Sequence, residues 1–109
     1  METGTFVTVG RVQDFPEGSV RQVRIGELEI AVAHCEDRFF ATQGHCLHLQ
    51  GPLGHGSLEG CVLTCPWHGW QYDVRTGENE FDRAIQLQTY AVHVEDGEIR
   101  GHLVSDEPE

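Results

Sequence analysis

The sequence predicts an all-β fold, a small sandwich or barrel built from short strands, on three observations. Runs rich in Val, Ile, Phe and Tyr recur about every ten residues along the chain. Clusters containing Gly, Pro, Asp and Glu separate them. No stretch sustains the i, i+3, i+4 apolar spacing of an amphipathic helix.

The first expected strand is Phe6 to Val9, followed by a turn around Phe15-Pro16-Glu17-Gly18. Val20 to Ile25 and Leu28 to Cys35 come next, split by Gly26-Glu27, and Phe39 to Ala41 follows Glu36-Asp37. In the third run Leu28, Ile30 and Val32 share one face and Glu27, Glu29 and Ala31 the other, which predicts a strand buried on one face only. Residues 44 to 60 are Gly-rich and read as loop. Strand character returns at Cys61 to Thr64 and Trp70 to Asp73, with a turn at Arg75-Thr76-Gly77 and an acidic loop at 78 to 82. Ile85 to Leu87, Tyr90 to Glu95 and Ile99 to Leu103 complete the set. Asp96-Gly97 suits the positive φ values of a tight hairpin turn.

A chain of 109 residues predicts one domain, 1–109, and one site. Its 18 acidic residues face only 7 basic ones, all Arg, for a formal charge of -11. That field repels a phosphate backbone and excludes nucleic acid as a partner, while it can steer the protein toward a basic protein face. No segment has the apolar length of a membrane helix, and Met1 to Gly4 lacks the features of an export signal. The expected compartment is the cytoplasm, where four cysteines point to metal ligation or plain burial rather than disulfides.

Cys46-Leu47-His48 and, after residues 49 to 64, Cys65-Pro66-Trp67-His68 form two Cys/His pairs on separate loops where the strand pattern fails. Such ligands suit either zinc or an iron–sulfur cluster. Thiolates stabilise ferric iron, whereas neutral imidazole adds no charge and makes a cluster easier to reduce. If both cysteines hold one iron and both histidines the other, each loop must contribute one of each, as these loops do. A single zinc imposes no such symmetry.

These residues resemble the Rieske family, whose signature is Cys-x-His, a spacer, then Cys-x-x-His. The resemblance extends to Gly51-Pro52-Leu53, to Cys65-Pro66-Trp67-His68-Gly69-Trp70 and to Tyr72-Asp73 through Gly77. It implies a β-sandwich with a cluster-binding subdomain, about residues 44–70, formed by two loops. It further implies one Rieske-type 2Fe-2S cluster, with Cys46 and Cys65 on the buried iron and His48 and His68 on the iron nearest solvent. Gly51, Pro66, Trp67, Trp70 and Tyr72 would surround it. The membrane-bound respiratory and photosynthetic members carry a cysteine disulfide across the cluster, and Gly51 and Trp67 stand at the matching positions here. A serine of those proteins is replaced by Trp70, which removes a hydrogen bond and implies a lower potential.

The resemblance is to the soluble Rieske ferredoxins of bacterial ring-hydroxylating oxygenase systems. That implies an electron carrier without bond chemistry of its own, taking single electrons from a flavoprotein NAD(P)H reductase to a terminal non-haem iron oxygenase, and monomeric in isolation. The alternative is the small Rieske-like subunit of a nitrite reductase, against which the intact ligand set weighs. Cys35 and Cys61 are expected as small buried core residues. His45 and His55 read as solvent-facing or as neighbours of the ligands, and His34, His93 and His102 as strand surface. Trp67 and Trp70 are expected to exclude water from the cluster, and Glu78, Glu80 and Asp82 read either as an ordinary solvated loop or as an acidic face for a basic partner.

Overall fold

The computed structural model describes residues 6–47, 51–67 and 69–103. Nine strands occur among them: β1 (Val7–Arg11), β2 (Val20–Ile25), β3 (Leu28–Cys35), β4 (Arg38–Gln43), β5 (Ser57–Glu59), β6 (Val62–Thr64), β7 (Gln71–Asp73), β8 (Thr89–Glu95) and β9 (Glu98–His102). The helical pieces among the described residues are two single 3-10 turns, Val12–Asp14 and Leu53–His55. Among the described residues no helix is long and apolar enough to cross a membrane. The fold is all-β, as the strand pattern predicts.

Two antiparallel sheets result, one with the order β1-β9-β8-β4-β3-β2 and one with the order β5-β6-β7. Local chemistry sets the hairpins of the larger sheet. Glu36 and Asp37 join β3 to β4 with φ of 54° and 65°, and Asp96 and Gly97 join β8 to β9 with φ of 55° and 79°. These left-handed pairs match the twist of the flanking strands; the short carboxylates of Asp37 and Asp96 and the bare Gly97 tolerate them best, and the Glu17 carboxylate accepts the N–H groups of Glu36 at 2.8 Å and Asp37 at 3.2 Å. Ile85 to Leu87 forms no strand: Gln86 makes one isolated bridge to Glu78 and the segment otherwise runs as loop. Conversely, β5 lies within the stretch read as loop, because three residues of Ser-Leu-Glu gain strand geometry only by pairing with β6.

The one-sided burial expected of β3 is corrected by the structure. Ile30, Ala31, Val32 and Ala33 are all buried. Ile30 and Val32 join one core with Val9, Phe15, Ala41 and Ile99. Ala31, Ala33 and Cys35 face the other way, into a second core with Leu53, Leu63, Tyr72, Val74 and Leu87. Small residues on that face bring the β5-β6-β7 sheet close, and the strand reads as half-polar only because alanine carries so little apolar signal.

Cys35 and Cys61 are buried as expected, but as a disulfide rather than as two core thiols, with Cα atoms 5.5 Å apart. The bond links the end of β3 to the turn ahead of β6. Compartment reasoning argued against any disulfide, and proximity across two sheets is not visible in the spacing of the sequence. His34 is also not a surface residue: only 15% of its side chain is exposed. Its ring stacks on Phe39 at 4.1 Å, and Nδ1 lies 2.7 Å from the Phe15 carbonyl oxygen.

Candidate metal centre

Two loops at one end of the β5-β6-β7 sheet carry the cysteine candidates, and both are closed in the same way. The Cys46 N–H donates to the Gly51 carbonyl at 2.9 Å, and the Cys65 N–H donates to the Trp70 carbonyl at 2.7 Å. In each loop the cysteine amide reaches the carbonyl five residues on, so the pair frames its loop at the mouth. The first loop is tied back further by an isolated bridge between His45 and Pro52 and by Leu53 N–H donating to the Gly44 carbonyl at 2.9 Å. The second springs from the β6-β7 hairpin, whose register pairs Leu63 with Tyr72. His48 and His68 fall between these closure points in the sequence and lie outside the described residues.

Cys46 and Cys65 are each 1% exposed and unbridged. Their thiols are within hydrogen-bonding reach of one another, and burial, above all, pushes the Cys65 pKa up. Two thiols held together in an apolar setting want a cation to take their protons' place, since deprotonation without one leaves buried charge. Tyr72, fully buried on β7, sets its Oη 3.1 Å from Cys46 Sγ. Burial, then the adjacent sulfur, raises the phenol pKa, so the hydroxyl keeps its proton and donates to a deprotonated Cys46. The Trp67 N–H donates to Cys65 Sγ at 3.4 Å.

Gly51 is required by closeness rather than by its own backbone angle. A Cβ there would stand 2.8 Å from Cys65 Sγ and 2.9 Å from Trp67 Cγ. The cradle, the soft donors and the hydrogen bonds aimed at both sulfurs fit an iron–sulfur cluster. Pro66 and Trp67 are exposed, Trp67 by 49%, and Trp70 is half-buried with its ring 6.4 Å from that of Phe81. His45 is partly exposed with Nε2 3.4 Å from Glu29 Oε1, and His55 is exposed.

Asn79 is a residue that the sequence reading missed. Fully buried in the acidic loop, it bridges to Tyr72, and its Oδ1 accepts the N–H groups of Phe81 at 2.7 Å and Asp82 at 3.1 Å. Asn followed by a bulky exposed residue and Asp is an Asx-turn signal that was available in the sequence. It presents Phe81, 70% exposed, between Glu80 and Asp82.

The family model for the Rieske [2Fe-2S] domain matches residues 5–91. The ferredoxin CarAc of Metapseudomonas resinovorans is 33% identical over 96 residues, covering 86% of this chain and 90% of its own. The ferredoxin component of an alkene monooxygenase system from Xanthobacter autotrophicus is 34% identical over 104 residues, 94% of this chain and 83% of its own. A chain in the solved complex of reduced oxygenase and oxidised ferredoxin in carbazole 1,9a-dioxygenase superposes with a TM-score of 0.81 at 31% identity, covering 92% of this chain and 94% of that one. With the paired buried thiols on two loops, these likenesses establish that the chain belongs to the Rieske family and that its cofactor is a Rieske-type 2Fe-2S cluster.

Proposed function

We propose that this protein is a soluble, cytoplasmic electron carrier, one domain of residues 1–109 with a cluster-binding part at about 44–70. Cys46 and Cys65 ligate one iron, and His48 and His68 the other. It takes single electrons from a flavin-dependent NAD(P)H reductase and delivers them to a terminal non-haem iron oxygenase of the ring-hydroxylating kind. Nucleic acid is not a partner, and the isolated protein is a monomer. The observation that carries the reading is the pair of buried thiols at the mouths of two identically closed loops, in a chain similar to ferredoxin components of oxygenase systems.

The bound cluster supplies reversible one-electron storage. The chain's own residues supply the setting. Tyr72 and the Trp67 amide stabilise negative charge on the two sulfurs, and Gly51 lets the first loop approach them. The exposed Phe81, between Glu80 and Asp82, and the exposed Trp67 offer apolar contacts on an acidic protein, suited to a basic face on a partner.

Electron paramagnetic resonance of the dithionite-reduced protein, with iron and zinc analysis, tests the site. A rhombic Rieske signal that is lost or changed in His48→Cys and His68→Cys is expected. A silent protein that contains zinc overturns the assignment. Mixing the reduced protein with candidate oxygenases and following reoxidation tests the carrier role, and re-reduction by a flavoprotein reductase with NADH or NADPH tests the other half.

A further inference from the structure

Beyond the cluster, the molecule holds a second sulfur pair that is joined covalently. Cys35 closes β3 in the larger sheet, and Cys61 lies in the turn just ahead of β6 in the smaller one. The ring that this bond closes, with a sequence separation of 26, contains Cys46 and the whole first loop. Cys61 lies four residues before Cys65, just ahead of the strand that leads into the second loop. The bond therefore ties the framework of one cysteine loop to the root of the other.

The bond crosses the core between the two sheets, where Leu63 and Tyr72 are fully buried. From β3 that core receives only Ala31, Ala33 and Cys35 as buried side chains. Polar ties across the seam include an exposed Arg75–Glu36 pair at 3.4 Å and the Gly54 N–H, ahead of β5, donating to Gln22 Oε1 of β2 at 2.7 Å. Small side chains and a solvated ion pair contribute little. A crosslink across the seam adds to that packing in keeping the sheets together. Cys35 is 1% exposed and Cys61 5%, so an external thiol reaches them only when the seam opens.

We propose that Cys35 and Cys61 form a two-electron thiol–disulfide site, separate from the one-electron cluster, whose redox state sets how tightly the cluster-bearing sheet is held. Its co-reactants are dithiols and low-molecular-weight disulfides. In reduction, a thiolate of the dithiol attacks one sulfur and breaks the Cys35–Cys61 bond. The second thiol of the reagent then releases the mixed disulfide. Two electrons and two protons pass to the protein, leaving two cysteine thiols and one oxidised dithiol. Glutathione disulfide reverses the change, taking two electrons and giving two molecules of glutathione.

The holoprotein, equilibrated in buffers of graded dithiothreitol redox ratio, is quenched in acid, denatured and alkylated, and residues 35 and 61 are followed by peptide mass spectrometry. Both cysteines should become alkylated together along one two-electron curve, and glutathione disulfide should restore the bond. The reduced holoprotein should melt roughly 15 °C lower than the oxidised one, as closing a ring of this size implies. Amides of β6 and β7 should exchange at least several-fold faster. Cys35→Ala/Cys61→Ala should melt like the reduced wild type, with no response to dithiothreitol. Independent alkylation of the two residues, or equal melting of the two wild-type states, overturns the proposal. These readouts need neither an oxygenase nor a particular cluster signal, so they stand apart from the test of the carrier function.

Discussion

Replacing Tyr72 by Phe removes one oxygen atom, 3.1 Å from Cys46 Sγ, from a site with no water access. In the wild type that hydroxyl is placed to donate to Cys46 Sγ, the sulfur proposed as an iron ligand, which would carry more negative charge with the cluster reduced. A hydrogen bond to a charged acceptor is worth about 1.5–3 kcal/mol. Only the part that differs between oxidised and reduced states moves the potential. Taking about 1 kcal/mol for that part, at about 59 mV per tenfold change for one electron, the potential should fall by roughly 40 mV. The ring remains to fill the core opposite Leu63, so fold and cluster content should persist. Protein-film voltammetry at fixed pH, with iron content measured alongside, provides the assay. An unchanged or raised potential at full iron content would refute the claim that Tyr72 stabilises charge on Cys46.

Gly51→Ala should impair cluster incorporation, because its Cβ would crowd Cys65 Sγ at 2.8 Å and Trp67 Cγ at 2.9 Å; iron per chain should drop while the β-sheet circular dichroism signal remains. Asp73, whose carboxyl the Arg75 guanidinium holds below the usual carboxylate range, contributes stability that is present above its unfolded pKa of about 3.9 and lost as pH falls through the lower folded value. Asp73→Asn should therefore melt roughly 2–4 °C below wild type near pH 6, with the gap closing below about pH 4 in a melting series. Raising the salt concentration should raise the potential, because the protein's charge of -11 opposes an added electron and salt screens that opposition.

Much of the fold is legible in the residues because its strands are local objects. Val20 to Ile25 and Leu28 to Cys35 are bounded in the structure as their turns predict, and Asp96-Gly97 turns the chain by the left-handed geometry it suits. What the sequence hides is pairing. Ser57 to Glu59 has no strand character of its own and acquires it from β6, while Ile85 to Leu87 has strand character but gains only a single bridge through Gln86. The same holds in the site. The Cys46 and Cys65 loops stand out by composition and spacing, and Tyr72 by its position two residues after Trp70. The disulfide between Cys35 and Cys61, and the anchoring of the acidic loop by Asn79, depend on contacts across sheets.

The site balances a local preference against a global one. With the proposed ligands, two ferric ions, two sulfides, two thiolates and two neutral imidazoles would sum to a formally neutral oxidised centre, so burying it would avoid most of the cost of burying a charge. The added electron then creates one negative charge inside an acidic protein. A surface carboxylate about 10 Å away in water opposes it by about 0.4 kcal/mol before screening, and salt reduces that further. A buried donor at hydrogen-bond distance acts in a lower dielectric and is not screened, so Tyr72 outweighs any single surface carboxylate. Acidity can therefore accumulate on the surface, where it serves partner recognition, at modest expense to the potential. The potential itself is set by the few groups that touch the sulfurs, and β7 is the strand that fixes the strongest of them in place.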